Sequence, residues 1–211
     1  MTIAENNSPL YGLVLAGGKS VRMGVDKTMM EWYGMPQKYY MAGLLRQVCA
    51  KIFISQQEQG ESALDNCYEI IVDNPAGFGP MGGILSAFNR YPDVAWLVVA
   101  ADLPLLDQKT LRYLISNRNM SCVATTFKSP HDGLPEPLIT IWEPASYALL
   151  RDKMSEGGKC PRKVLINSAT HMLTPPDATA LMNANTPEDA AAVRQILASK
   201  NKQADAVLQQ I

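Results

Sequence analysis

The sequence predicts an α/β fold, a layered and mainly parallel sheet with helices on both sides. Three observations predict it. Short apolar runs alternate along the chain with stretches of helical spacing. No repeat, low-complexity segment or linker divides the 211 residues, a length that suits one domain with a sizeable core. The composition, 47% hydrophobic and 18% charged, is that of a globular chain rather than a disordered one. One domain is expected over residues 1–211, with 1–8 and 201–211 as candidates for disordered or frayed ends.

Six strands are expected, at residues 11–15, 51–55, 69–72, 95–101, 122–126 and 138–142. Between them "PQKYYMAGLLRQVC", "MGGILSAFNRY" and "LLDQKTLRYLISN" have helical spacing with cation-bearing outer faces. Near the end, "NANTPEDAAAVRQILASK" carries a helix start: Thr186 can cap, Pro187 fits the first helical position, and Asp189 sits where a capping acid would. The tail "NKQADAVLQQI" either extends that helix or frays.

The totals remove several classes of function. A net charge of −1 gives no general electrostatic footprint for nucleic acid, so any anion site must be local. Apolar runs such as "VAWLVVAA" are far too short to span a bilayer. Cys49, Cys67, Cys122 and Cys160 are scattered, with no CxxC pair, and read as reduced, mostly buried thiols. The start "MTIAENNSPL" lacks the regions of a secretion signal, and a cytoplasmic protein is expected. His131 and His171 have no partner at metal-ligand or triad spacing and read as incidental.

In open α/β sheets ligands bind beyond the carboxyl ends of the strands. The first such end is "LYGLVLAGGKSVRMGVDK", where a core strand runs straight into Gly17 and Gly18 and then Lys19, Arg22 and Lys27. "GKS" at 18–20 is not a Walker loop, because the glycine that motif needs five residues earlier is Leu13. The dinucleotide fingerprint fails too, since Gly17 and Gly18 are adjacent. The ingredients of a phosphate cradle remain: glycines that let backbone N–H groups approach an anion, and three cations within nine residues.

"LAGGKSVRMGVDK" resembles the LAGG-x-S-x-RMG-x-DK signature of the nucleotidyltransferases that act on molybdenum cofactor, the guanylyltransferases of the MobA family. Further matches follow in order: "VDNPAGFGPMGGI", "VVAADLP", "EPLITIW" and "NTPEDAAAV". The resemblance runs from about Tyr11 to Leu197. It implies the three-layer α/β/α sandwich of the nucleotide-diphospho-sugar transferases, with GTP as donor and molybdopterin as acceptor. It also implies partner proteins that deliver the cofactor or receive it as molybdoenzymes.

Asp102, left by "AWLVVAAD" at the mouth of a strand, suits magnesium, which takes one or two carboxylates plus substrate phosphates. The resemblance puts the metal-binding acid here, and Asn185 is a weaker second ligand. It assigns Leu15, Ala16, Gly17, Gly18, Lys27, Asp73, Gly79, Pro80 and Asp102 to the nucleotide. A carboxylate such as Asp73 can accept from the donor edge of guanine, although cytosine and adenine also carry amino donors. Where the family often has an asparagine after the second strand, this chain has Ser55, which has no amide donor. Lys159, Arg162 and Lys163 form a basic cluster that is a candidate for a second phosphorylated substrate.

The absence of an evident base agrees with phosphoryl chemistry on a phosphate acceptor. A phosphomonoester loses its second proton near pH ~6 and is already a nucleophile at neutral pH. The protein must then align and neutralise charge, with Lys27, Arg22 and Asp102 as the expected catalytic residues. Two rivals stay open: a sibling transferase using CTP, ATP or another phosphorylated acceptor, and a nucleotide-binding regulator without catalysis.

Overall fold

The structure is a computed structural model that describes residues 8–17, 29–57 and 67–208. Its sheet contains β1 (Leu10–Leu15), β2 (Lys51–Gln56), β3 (Glu69–Val72), β4 (Ala95–Ala100), β5 (Ala124–Lys128), β6 (Pro135–Trp142) and β7 (Thr170–Leu173). The spatial order is β3-β2-β1-β4-β6-β5-β7. β1 pairs in parallel with β2 and β4, and β3 pairs in parallel with β2. β6 is the reversed strand, antiparallel to both β4 and β5, while β7 runs parallel to β5. The six expected strands are present; β7 is an addition, and β6 begins at Pro135, earlier than the expected residue 138.

Strand side chains alternate between two cores because successive residues of a strand face opposite sides. Val14, Ile54, Leu97 and Val99 pack on one face with Met41 and Leu45 of α1 (Gln37–Arg46) and with Leu111 and Leu114 of α3 (Gln108–Ser116). Leu13, Phe53, Trp96 and Val98 pack on the other with Ile84, Leu85 and Phe88 of α2 (Pro80–Arg90). Leu150 of α4 (Ser146–Ser155) and Val164 and Leu165 of α5 (Pro161–Ile166) extend that second core. The result is three layers, as the resemblance implied. Trp96 and Trp142 are fully buried, each a large share of apolar area removed from water.

The last helix, α6 (Pro187–Leu208), starts as the sequence predicts. Thr186 Oγ1 accepts from the Asp189 N–H at 3.1 Å, and Asp189 Oδ2 accepts from the N–H groups of Asn185 and Thr186 at 3.0 and 2.9 Å. This reciprocal arrangement satisfies donors a helix start leaves open. The helix continues to Leu208, so the tail extends it over residues 201–208.

Away from the carboxyl ends of β1–β4, Arg118 clamps the fold. Its guanidinium makes a two-point bond to Glu143, at 2.7 and 2.8 Å, and reaches the Ser8 carbonyl at 3.2 Å. Both side chains are nearly buried. The four cysteines are free, but only Cys49 and Cys122 are partly buried; Cys67 and Cys160 are exposed, which corrects the expectation of mostly buried thiols. All four sit in connecting segments rather than inside strands, and of them Cys49 packs against the core on the α1 face. Burial pushes the Cys49 thiol up to about 12. Among the described residues, no helix is long and apolar enough to cross a membrane.

Candidate functional site

The parallel block β3-β2-β1-β4 directs four carboxyl ends to one rim, and backbone bonds beyond the ladders hold them level. Ala16 N–H donates to the Ser55 carbonyl at 2.8 Å, Ala101 N–H to Leu15 O at 3.1 Å, and Asp73 N–H to Gln56 O at 2.9 Å. Leu15, Ala16 and Gly17 therefore stand between Asp73 on one side and Asp102 on the other. Gly18, Lys19, Arg22 and Lys27 lie outside the described residues.

Asp73 is the most enclosed of these groups, with only 7% of its surface exposed. The Ser55 hydroxyl donates to its Oδ1 across the β2–β3 pair. Its Oδ2 lies 3.1 Å from where a Cβ on Gly17 would sit, so the glycine leaves that oxygen its approach. Burial pushes the Asp73 carboxyl above the usual carboxylate range, and the Ser55 bond pulls it part of the way back.

Over this group stands the start of α2. Pro80 occupies its first turn, and Gly79 before it has φ 57°, the left-handed region that favours glycine. Gly83 lets the helix descend onto the rim: a Cβ there would overlap Ser55 Oγ and lie 2.8 Å from Leu15 Cδ2 and 3.3 Å from Asp73 Oδ1. Ser86 ties the preceding loop down, accepting from Asn74 N–H at 2.8 Å while donating to Gly82 O at 2.8 Å. The positive end of the helix macrodipole thus points at the rim where an anion would lie.

Asp102 leaves β4 half-buried, and its carbonyl accepts from Ala184 N–H at 3.0 Å. That bond places Asn185, the next residue in the chain, beside the same turn. Beyond them, on the β6 side, a cleft of about 140 Å³ is lined by Leu103, Glu136, Leu138, Arg162, Leu181 and Asn183. Its wall is held by Thr126 and Thr140, whose hydroxyls both donate to the Glu136 carbonyl.

The basic cluster divides. Arg162 is already neutralised, bonding Asp132 at 2.9 Å and Glu136 at 3.0 Å. Lys163 is exposed on α5. Lys159 is the member that reaches the loop before α2, its ammonium 5.0 Å from the ring centre of Phe78. Sequence reasoning missed the parts played by Ser55 and Gly83. The signal for Gly83 was the pair Gly82–Gly83 in the first turn after Pro80 and Met81, where a helix former is otherwise preferred.

The family of the MobA-like NTP transferase domain matches residues 12–173. The chain belongs to this family. It is 36% identical to the molybdenum cofactor biosynthesis bifunctional protein of Synechocystis sp. over 87% of this chain and 53% of that protein, so it spans about half that relative's length. It is 26% identical to the probable molybdenum cofactor guanylyltransferase of Chloroflexus aggregans, covering 91% of this chain and 97% of that one. The molybdopterin-guanine dinucleotide biosynthesis protein A of Archaeoglobus fulgidus has the same fold, with a TM-score of 0.75, 20% identity and coverage of 90% and 99% of the two chains.

No magnesium site built from protein alone is present among the described residues, none of which form a group of three or more His, Cys, Asp or Glu that could hold a metal. One carboxylate with a neighbouring amide is instead the donor set for a magnesium ion completed by substrate phosphates and water. Asp102 and Asn185 fit that description.

Proposed function

We propose that the protein transfers GMP from GTP to the terminal phosphate of molybdopterin, releasing pyrophosphate and forming molybdopterin guanine dinucleotide in the cytoplasm. The observation that supports this best is the convergence at one rim: Gly17 against Asp73 on one side of β1, and Asp102 on the other. The names of the relatives in Synechocystis, Chloroflexus and Archaeoglobus point to the same acceptor chemistry.

In this reading Asp73 receives the donor edge of guanine through Oδ2, while Ser55 holds Oδ1 and fixes the plane of the carboxylate. Backbone groups of Leu15–Gly17 lie along the nucleotide, and Gly18 is assigned to it as well. Gly79 and Pro80 close over it from the helix side. Asp102, with Asn185, would hold a magnesium ion, which would supply positive charge to the donor phosphates. Lys27 and Arg22 neutralise the pyrophosphate as it departs.

The acceptor enters from the cleft beside Leu103 and Arg162. Its phosphate is a dianion above pH ~6 and needs no protein base. An acceptor oxygen bonds to the α-phosphorus as the bond to the bridging oxygen of pyrophosphate breaks, and both electrons of that bond leave with pyrophosphate. The chain's contribution is alignment, since holding the two phosphates in line replaces a bimolecular encounter.

Incubation with molybdopterin, magnesium and each of GTP, CTP and ATP, followed by the mass of the product, tests the proposal. A guanine dinucleotide formed from GTP alone supports it. A cytosine or adenine adduct, or GTP bound without product, overturns it in favour of a sibling transferase or a regulator.

A further inference from the structure

The turn after β4 is gripped at three consecutive carbonyls. Asp102 O accepts from Ala184 N–H at 3.0 Å, Leu103 O from Gln37 Nε2 at 3.5 Å, and Pro104 O from the Tyr33 hydroxyl at 2.7 Å. The ladder between β1 and β4 ends just before this turn, so these bonds replace sheet pairing where it stops. Their donors come from segments 66 to 82 residues away in sequence, which strand pairing alone would not bring together.

Tyr33 is itself fixed. Its ring stacks on Tyr40 of α1 with centroids 3.9 Å apart and planes 12° from parallel. The adjacent Trp32 packs with Leu105, Ala184 and Val193, and Arg194 of α6 lies 5.5 Å from its ring centre. The Gln37 N–H closes the segment by donating to Met30 O at 3.0 Å. The segment between 30 and 37 is thereby docked against the Asp102 turn, the Asn185 loop and the start of α6 together.

We propose that Tyr33 and Gln37 are positioning residues for nucleotidyl transfer, setting the Asp102 turn so that its carboxylate faces the donor's phosphates. The proposal rests on the assignment of Asp102 to the phosphate-bound metal. Neither residue touches substrate. They act by fixing two peptide carbonyls next to the acid, where a displacement of 1 Å at a reacting group is worth roughly 10²-fold in rate.

Tyr33→Phe removes the hydroxyl and keeps the stacked ring. In the full chain, kcat for pyrophosphate release falls roughly tenfold or more, within the 10²-fold range of such a displacement. KM for GTP stays near the parent value. Manganese binding in the presence of GTP, read by electron paramagnetic resonance, shifts to higher metal concentration. The melting temperature moves by no more than about 4 °C, the scale of one lost hydrogen bond in a chain of this size. Should Tyr33→Phe melt below assay temperature, the near-isosteric Gln37→Met repeats the measurement, with the same expectation.

Parental kcat and manganese binding in the variant, with Asp102→Asn inactive, overturn the positioning role alone. A loss confined to KM for GTP does the same. An active Asp102→Asn overturns both this proposal and the metal assignment beneath it.

Discussion

In an Asp73→Asn variant the Ser55 hydroxyl keeps its acceptor, because asparagine presents an oxygen where Oδ1 stood, while the place of Oδ2 beside Gly17 becomes an amide nitrogen. The effects on stability and on donor recognition run in opposite directions. Burial holds the Asp73 carboxyl above the usual carboxylate range. Between the ordinary carboxylate pKa near ~4 and that raised value, the native state binds more protons than the unfolded chain, so stability falls as pH rises through the window. Asparagine removes this penalty. The variant therefore melts higher than the parent at neutral pH, and the gap closes as pH is lowered toward ~4. On the donor side, a hydrogen bond to a charged group is worth ~1.5–3 kcal/mol, and the new amide opposes the guanine N–H groups with a donor of its own. At 1.4 kcal/mol per tenfold change, kcat/KM for GTP falls roughly 10- to 150-fold. Pyrophosphate release against GTP concentration, with thermal melts across the acid range, reads both effects. An unchanged kcat/KM for GTP refutes the base contact, and a lower melting temperature at neutral pH refutes the burial penalty.

Asp102→Asn abolishes transfer and leaves the melting temperature near that of the parent, checked by product mass and calorimetry. Lys27→Ala lowers turnover by about 10²-fold or more, the scale of losing one group that stabilises developing charge, with the fold intact by circular dichroism. Gly83→Ala forces a methyl into Ser55 Oγ and Leu15 Cδ2, which costs about 1–3 kcal/mol in urea unfolding and weakens GTP binding as α2 is pushed off the rim. Arg118→Leu leaves Glu143 buried and unpaired, lowering stability by about 3–5 kcal/mol while turnover per folded molecule stays parental.

The strand ends that carry the candidate site were legible in the sequence because they are built from abrupt boundaries. A run such as "AWLVVAAD" changes from fully apolar to acidic in one residue, and "LYGLVLAGG" ends on glycines, so the strand end and its candidate residue are read in one step. The capped start of α6 was equally local, with Thr186, Pro187 and Asp189 within four residues. Where the reading stopped, the information was nonlocal. Ser55 and Asp73 meet only because β2 and β3 pair in one particular register, and their 18-residue separation gives no hint of it. β7 was invisible because "THML" is four residues long and lies at an edge with no fully buried face to impose a pattern. Arg162 read as a free cation in a basic cluster because Asp132 and Glu136, which neutralise it, lie 26 to 30 residues upstream on another strand and its turn.

The reversal of β6 gives the two flanks of the crevice different origins. Val99 faces Ile139 across the antiparallel pair, so the first residues of β6 continue past the point where β4 stops. Toward β1 the border is made of peptide leaving the sheet; toward β6 it is made of peptide entering it. Each flank therefore answers to its own stretch of sequence, and among the described residues the two meet at the few around 102. Amino-acid changes confined to one flank should combine with changes on the other by simple addition of their free energies, which on the proposed function leaves evolution free to retune the choice of base and the choice of acceptor on separate schedules.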